Sequence, residues 1–303
     1  MSIFSKLIVA TLPIIPKPIV GYFAKPYIAG ESLEDGVRVV KELNANGISA
    51  TMDVLGESVD TKEDSLIMRG ECEQVLHAIN EHKLDATLSI KPTQLGLAID
   101  ETFCKENVAH LCEVAKNYGN SVCIDMEDHP YTDSTLRIYD ELRQQYPENV
   151  TTVLQAYMRR TADDLRDLVK DGKSTSIRLC KGIYVEPEKI AYKDKQEIRE
   201  NYKQVLRIGV DGGAFMAIAT HDDELLEDGQ QLVQERELAK EKYEFQMLLG
   251  VKPATRDGIA GNGHPMRVYV PFGSRWYAYS TRRLKENPNM ALHIVRALFR
   301  WNN

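Results

Sequence analysis

Tyr279-Ser-Thr-Arg282-Arg283-Leu-Lys-Glu286 sets two guanidiniums side by side, with a tyrosine just before them and a glutamate just after. Read as a helix, these side chains are neighbours, because residues three and four apart share a face. Adjacent guanidiniums repel unless an anion lies between them, and a guanidinium fork holds a carboxylate through two parallel hydrogen bonds. A tyrosine supplies an apolar wall with a polar tip. The chemistry suggested is a cap that closes over a small carboxylic acid. The same letters fit a solvated helix face carrying an Arg–Glu pair, so the rest of the chain has to decide.

More polar residues stand where short apolar runs end: Lys91, Asp125, Gln155, Arg178 with Lys181, Thr220 with His221, Gln246 and Tyr269. A buried arginine or lysine is costly unless paired, so their recurrence at one end of successive runs points to a ligand that uses them. Cations dominate the set although the chain carries a net charge of −7. The expected ligand is anionic, with phosphates. Each residue also has a plainer account. Lys91 could be a surface lysine with a buried stem, His221 a satisfied core histidine, and Cys180 an inert packing residue. Asp125, Glu127 and Asp128 suggest a metal, but no histidine or cysteine sits at matching spacing, and no metal is expected.

These residues need a scaffold that brings them to one place. β-branched and apolar runs cover residues 48–55, 86–91, 121–126, 150–157, 176–181, 214–220, 243–248 and 268–272. Helix-like stretches such as 62–82, 106–118, 133–145 and 222–241 separate them. Strands alternating with helices imply parallel strands joined by helical crossovers. A closed (βα)8 barrel fits the length, and its strand C-termini are where barrel active sites lie. An open doubly wound sheet is disfavoured because no Gly-x-Gly-x-x-Gly turn follows the first run. The expected organisation is one domain over residues 1–303: a helical segment 1–45, a barrel 46–273, and a capping helix with a C-terminal helix in 274–303.

Composition narrows the class. The chain has 303 residues, 43% hydrophobic and 27% charged, which suits a folded cytoplasmic protein with a large core. The acidic balance and lack of a basic run exclude nucleic acid as the expected partner. Five cysteines without a CxxC pair fit reduced thiols. The apolar stretch from Ser2 to Ala10 is too short to span a bilayer and is soon interrupted by prolines. It reads as a helix packed on the domain, with peripheral membrane contact as the second reading.

Taken together, the sequence resembles the proline dehydrogenase family, and within it the single-function bacterial type. The resemblance rests on Asp53-Val-Leu-Gly-Glu57, Leu88-Ser-Ile-Lys91, Ile124-Asp125-Met126-Glu127, Gln155-Ala-Tyr157, Arg178-Leu-Cys-Lys181-Gly-Ile-Tyr184, Thr220-His221 and Tyr279-x-x-Arg-Arg-x-x-Glu286, in family order across most of the chain. It implies a distorted barrel that holds FAD non-covalently. It also implies oxidation of L-proline to Δ1-pyrroline-5-carboxylate by hydride transfer to flavin N5, with electrons passed to a membrane quinone, as the first step of proline catabolism to glutamate. By the resemblance, Lys91, Arg282 and Arg283 bind the substrate carboxylate, and Tyr184, Leu248, Tyr269 and Tyr279 wall the ring. Arg178 sits near N5, Gln155 and Met126 meet the flavin, and Lys181, Gly182, Ile183, Thr220 and His221 hold its ribityl–phosphate–adenosine arm. Asp125 orients active-site groups, including Lys91, and Glu57 pairs with Arg282 as a gate, with Glu286 beside it.

There are departures from the family pattern. Ile183 stands where the family commonly has alanine, which implies altered packing beside the cofactor. The loop from Gly273 to Tyr279 is shorter than in large bifunctional relatives, and no appended aldehyde dehydrogenase domain is expected. Three rival readings remain at this point: a Schiff-base aldolase with Lys91 or Lys181 as nucleophile, a hydroxyproline dehydrogenase, and a non-catalytic sensor of barrel form.

Overall fold

The computed structural model describes residues 21, 25–56 and 59–277. Eight parallel strands close into a barrel: β1 (Ser49–Val54), β2 (Ala86–Ile90), β3 (Val122–Ile124), β4 (Val150–Gln155), β5 (Ser176–Cys180), β6 (Phe215–Ala219), β7 (Tyr243–Leu248) and β8 (Met266–Phe272). Each strand pairs with its successor, and β8 pairs back onto β1 with Thr51 opposite Tyr269. The helices are α1 (Leu33–Asn44), α2 (Lys62–Glu81), α3 (Glu101–Asn117), α4 (Thr132–Gln145), α5 (Thr161–Val169), α6 (Lys195–Asp211), α7 (Asp223–Glu235) and α8 (Pro253–Gly261). No helix among the described residues is long and apolar enough to cross a membrane.

Two-residue alternation sorts the strand side chains into two environments. Ala50, Met52 and Val54 of β1, Leu88 and Ile90 of β2, and Val268 and Val270 of β8 join the main apolar core with the helices. The residues between them meet one another inside the barrel. Thr51 hydrogen-bonds Thr87 at 3.1 Å, Ser89 donates to Asp125 at 2.7 Å, and Arg178 reaches Gln246 at 2.7 Å. A barrel interior is usually filled with layers of branched apolar side chains. Here it is a polar lumen inside an apolar shell.

Helix starts follow local sequence rules. Ser32 caps α1 with a reciprocal bond to Asp35, Thr61 caps α2, Asp100 caps α3 and Asp194 caps α6, each accepting from a first-turn backbone N–H. In α1, Val37, Val40 and Leu43 recur on one face and are buried. That helix packs on both β1 and β8 and so covers the seam of the barrel.

Several boundaries differ from the sequence expectation. β3 is short and ends at Ile124, although the backbone N–H of Asp125 still donates to Ile90 O at 2.8 Å. β4 stops at Gln155, where the Thr161 hydroxyl takes the Gln155 carbonyl at 2.5 Å and turns the chain into α5. α7 ends at Glu235 rather than near residue 241, because Glu237 adopts φ +48°, a left-handed conformation that a helix cannot continue through.

Candidate active site

A cavity of about 350 Å3 opens at the C-terminal ends of the strands. Lys91, Asp125, Met126, Gln155, Arg178, Lys181 and Gly182 line it, together with Ile183, Tyr184, Thr220, His221, Leu248 and Tyr269. Every sequence-predicted site residue inside the described part is therefore brought to one wall or floor. The five others, Glu57, Tyr279, Arg282, Arg283 and Glu286, lie outside the described residues. The gate and the capping helix are outside them too.

Asp125 is the hub of the floor. One of its oxygens, Oδ1, accepts from Arg178 Nη1 at 2.8 Å and Ser89 Oγ at 2.7 Å. The other, Oδ2, accepts from Tyr269 OH at 3.0 Å and Lys91 Nζ at 3.4 Å. Burial by itself would raise the Asp125 carboxyl, but Lys91 and Arg178 outweigh it and hold its pKa below the ordinary 3.8. Burial likewise draws the Lys91 ammonium down, but Asp53, Tyr269 and Asp125 outweigh it and hold its pKa well above 10.5. Burial, then Asp125 and Asp53, keep the Tyr269 phenol protonated and able to donate.

Arg178 is fixed from three sides. Nε donates to Gln246 Oε1 at 2.7 Å, and Nη1 is shared between Asp125 and Ser89. Its guanidinium lies 5.4 Å from the centre of the Tyr269 ring. Gln246 cannot turn its amide round without cost, because its Nε2 donates to Glu244 Oε1 at 2.5 Å. Glu244 is in turn held by Arg267 Nε at 2.8 and 3.0 Å. Nη2 of Arg178 has no partner among the described residues, which leaves it to whatever occupies the cavity.

The opposite wall is polar backbone and side-chain amide. Gln155 Nε2 is spent on the carbonyls of Glu127 at 2.8 Å and Met126 at 3.4 Å, while its buried Oε1 has no partner among the described residues. Gly182 takes φ +104°, and a Cβ there would lie 2.1 Å from the Tyr157 ring, so only glycine lets the chain pass at this point. The Leu248 backbone N–H donates to His221 Nε2 at 2.9 Å, which fixes that nitrogen as an acceptor. A second hollow shares Lys181 and His221 with the first and continues over Arg199, Asp222 and Lys252. Lys181 and Arg199 converge on Asp222 at 2.9 and 3.1 Å, so two cations and a helix start meet at that end.

Sequence reading assigned no role to Asp53, Ser89 or Glu244, and none to Gln246 beyond its place at a strand end. The signal that could have found them is the alternation itself. Asp53 lies two residues from Thr51, Ser89 two from Lys91, and Glu244 and Gln246 share a strand face with Leu248. The acidic run after β3 is not convergent: Glu127 turns away to Thr93, accepting from its N–H at 2.8 Å and its hydroxyl at 2.6 Å.

The described residues thus assemble a charged floor, an idle amide oxygen and an annex of paired cations and carboxylates on a barrel. Solved structures share that architecture. Proline utilization A from Bdellovibrio bacteriovorus superposes with a TM-score of 0.84 at 23% identity, covering 94% of this chain and 36% of that one. Among curated proteins, proline dehydrogenase 2 of Bacillus subtilis strain 168 is 40% identical over 262 residues, 86% of each chain. Proline dehydrogenase of Deinococcus radiodurans is 33% identical over 281 residues, 91% of this chain and 90% of its own. The family profile described as proline dehydrogenase matches residues 37–294, and the chain belongs to the proline dehydrogenase family.

Proposed function

We propose that the cavity holds FAD non-covalently and oxidises L-proline to Δ1-pyrroline-5-carboxylate, with electrons delivered to a membrane quinone. The observation that carries this reading is Arg178: a buried guanidinium pinned on three sides and lining the cavity, with no partner for Nη2 among the described residues. Such a group meets charge that develops during reaction without having to move. Family membership makes proline the substrate to test first.

The residues present fit the cofactor. Gln155 Oε1 is a buried acceptor awaiting a donor such as a flavin ring N–H. Lys181 beside Arg199 suits phosphate oxygens, and Gly182, Ile183, Thr220 and His221 line the path between that end and the floor. When bound, FAD supplies the two-electron acceptor; the protein binds, orients and tunes.

Lys91 takes the substrate carboxylate in this reading, with Arg282 and Arg283 assigned to it by the family motif. Tyr269, Tyr184 and Leu248 wall the ring, with Tyr279 assigned likewise by the motif. Asp125 sets the positions of Lys91, Arg178 and Tyr269 at once. The cations around the substrate disfavour its ammonium form and so help to keep the amine neutral for oxidation. Glu57 and Arg282, with Glu286, are proposed to gate the pocket.

Lys91 argues against a Schiff-base aldolase. A nucleophilic lysine needs a depressed pKa, whereas three neighbours hold this one charged. The test is turnover with a soluble quinone analogue and mass analysis of the product. Proline-dependent quinone reduction yielding a product lighter by two hydrogens supports the proposal. No turnover, together with lysine trapping by borohydride and a carbonyl substrate, would replace it.

A further inference from the structure

Asp53 is fully buried, and the reaction proposed above gives it no task. Its Oδ1 accepts from Lys91 Nζ at 2.9 Å, and its Oδ2 has no hydrogen-bond partner among the described residues. A buried carboxylate with half its acceptors idle is a poor stabiliser compared with an apolar side chain of the same size. What it does to Lys91 is the remaining explanation.

An ammonium has three donors. Lys91 makes one short bond, to Asp53, and two long ones of 3.4 Å, to Asp125 Oδ2 and Tyr269 OH. Those last two groups already bond each other at 3.0 Å, so they lose little if Lys91 turns from them. Asp53 makes no other hydrogen bond among the described residues, and the one other donor close enough to act on it, the Tyr269 hydroxyl, is spent on Asp125. Asp125, Tyr269 and Lys91 line the cavity, whereas Asp53 lies behind Lys91 and outside the lining, where an entering ligand does not compete for it.

We propose that Asp53 is a positioning residue for carboxylate recognition. It anchors the Lys91 ammonium from behind, so that the two loosely held donors are presented to the substrate carboxylate. The inference rests on the assignment of Lys91 to that carboxylate. Without the anchor, Lys91 is drawn to Asp125, where it competes with Arg178 and Tyr269 and no longer faces the ligand.

The probe is cyclopentanecarboxylate, which has the ring and the carboxylate but no oxidisable amine. Its affinity is measured by titration calorimetry on the flavin-loaded full chain, so the readout does not depend on turnover. Asp53→Leu is expected to weaken binding about tenfold or more, and Asp53→Asn, which keeps an acceptor, to recover part of that loss. Lys91→Met should weaken binding too. The double variant Asp53→Leu/Lys91→Met should bind no more weakly than Lys91→Met, within about twofold, because Asp53 acts only through Lys91.

Wild-type affinity in Asp53→Leu, or losses that add in the double variant, would overturn the proposal. Wild-type affinity in Lys91→Met would instead fell the carboxylate assignment on which it rests. If Asp53→Leu fails to fold while the double variant folds, an unpaired Lys91 is the cause and the coupling stands. If both fail to fold, Asp53 is a packing residue and the proposal is wrong.

Discussion

Asp125 and Arg178 meet at 2.8 Å although 53 positions separate them in sequence. The contact joins the end of β3 to the middle of β5, and it sets the geometry of the cavity floor. Through its second oxygen Asp125 also receives Tyr269 and Lys91. One carboxylate thereby positions the groups proposed to face the flavin, the substrate ring and the substrate carboxylate.

Asp125→Asn should be costly to the fold, because it leaves buried cations short of their counter-ion. A loss of about 3–5 kcal/mol is expected in urea unfolding at neutral pH. The pH dependence follows from the depressed carboxyl. A carboxyl whose folded pKa lies below the ordinary 3.8 contributes stability that is present above that value and lost as pH falls through the folded one. The gap between wild type and variant should therefore be flat from about pH 5 upward and close below about pH 4. A gap that widened on acidification would contradict the ion-pair account.

Arg178→Lys keeps a charge but cannot reproduce the fork. A lysine cannot reach Gln246 and the Asp125–Ser89 pair from the same position while leaving a planar donor for the cavity. Flavin content should be unchanged, and anaerobic flavin reduction by proline should slow about 100-fold. A rate within about threefold of wild type would remove Arg178 from the reaction.

Tyr269 is locked by Asp125 and flanked by Arg178, so it forms a stiff wall rather than an adaptable one. In the proposed reading that wall crowds C4 of the substrate ring. A hydroxyl added at C4 loses hydration without gaining a partner, which costs about 1–3 kcal/mol. L-proline should be preferred over trans-4-hydroxy-L-proline by about tenfold or more in kcat/KM, and Tyr269→Ser should shrink the preference. An unchanged ratio in the variant would place Tyr269 away from the ring, and equal wild-type efficiencies would favour the hydroxyproline reading.

Much of this was legible in the chain. All eight strands were visible as short apolar runs, since a parallel sheet covered by helices needs them, and β3 and β4 proved shorter than their runs. The cationic and tyrosyl residues at the strand ends marked the cavity because they are hard to bury without a use. What the sequence hid was the depth of the polar lumen. Asp53, Ser89 and Glu244 sit inside runs that read as apolar overall, and only closure of the barrel shows that their faces meet. α8 was equally faint. It has nine residues, three of them glycines or proline, and Ile259 is the one buried side chain within it.

Arg283→Met tests the part of the assignment that rests on the motif alone. Removing one member of a desolvated charge pair costs about 2–5 kcal/mol. The KM for proline should rise strongly while flavin content holds. Normal proline kinetics would exclude Arg283 from the carboxylate site.

The central claim is that the barrel-mouth cavity joins FAD to L-proline, and an anaerobic titration of the purified protein followed by visible absorption tests it most directly. The account predicts an oxidised flavin spectrum that L-proline bleaches, with the released cofactor identified as FAD. A flavin that dithionite reduces but L-proline leaves oxidised, or a folded protein that neither retains nor takes up FAD, would contradict it.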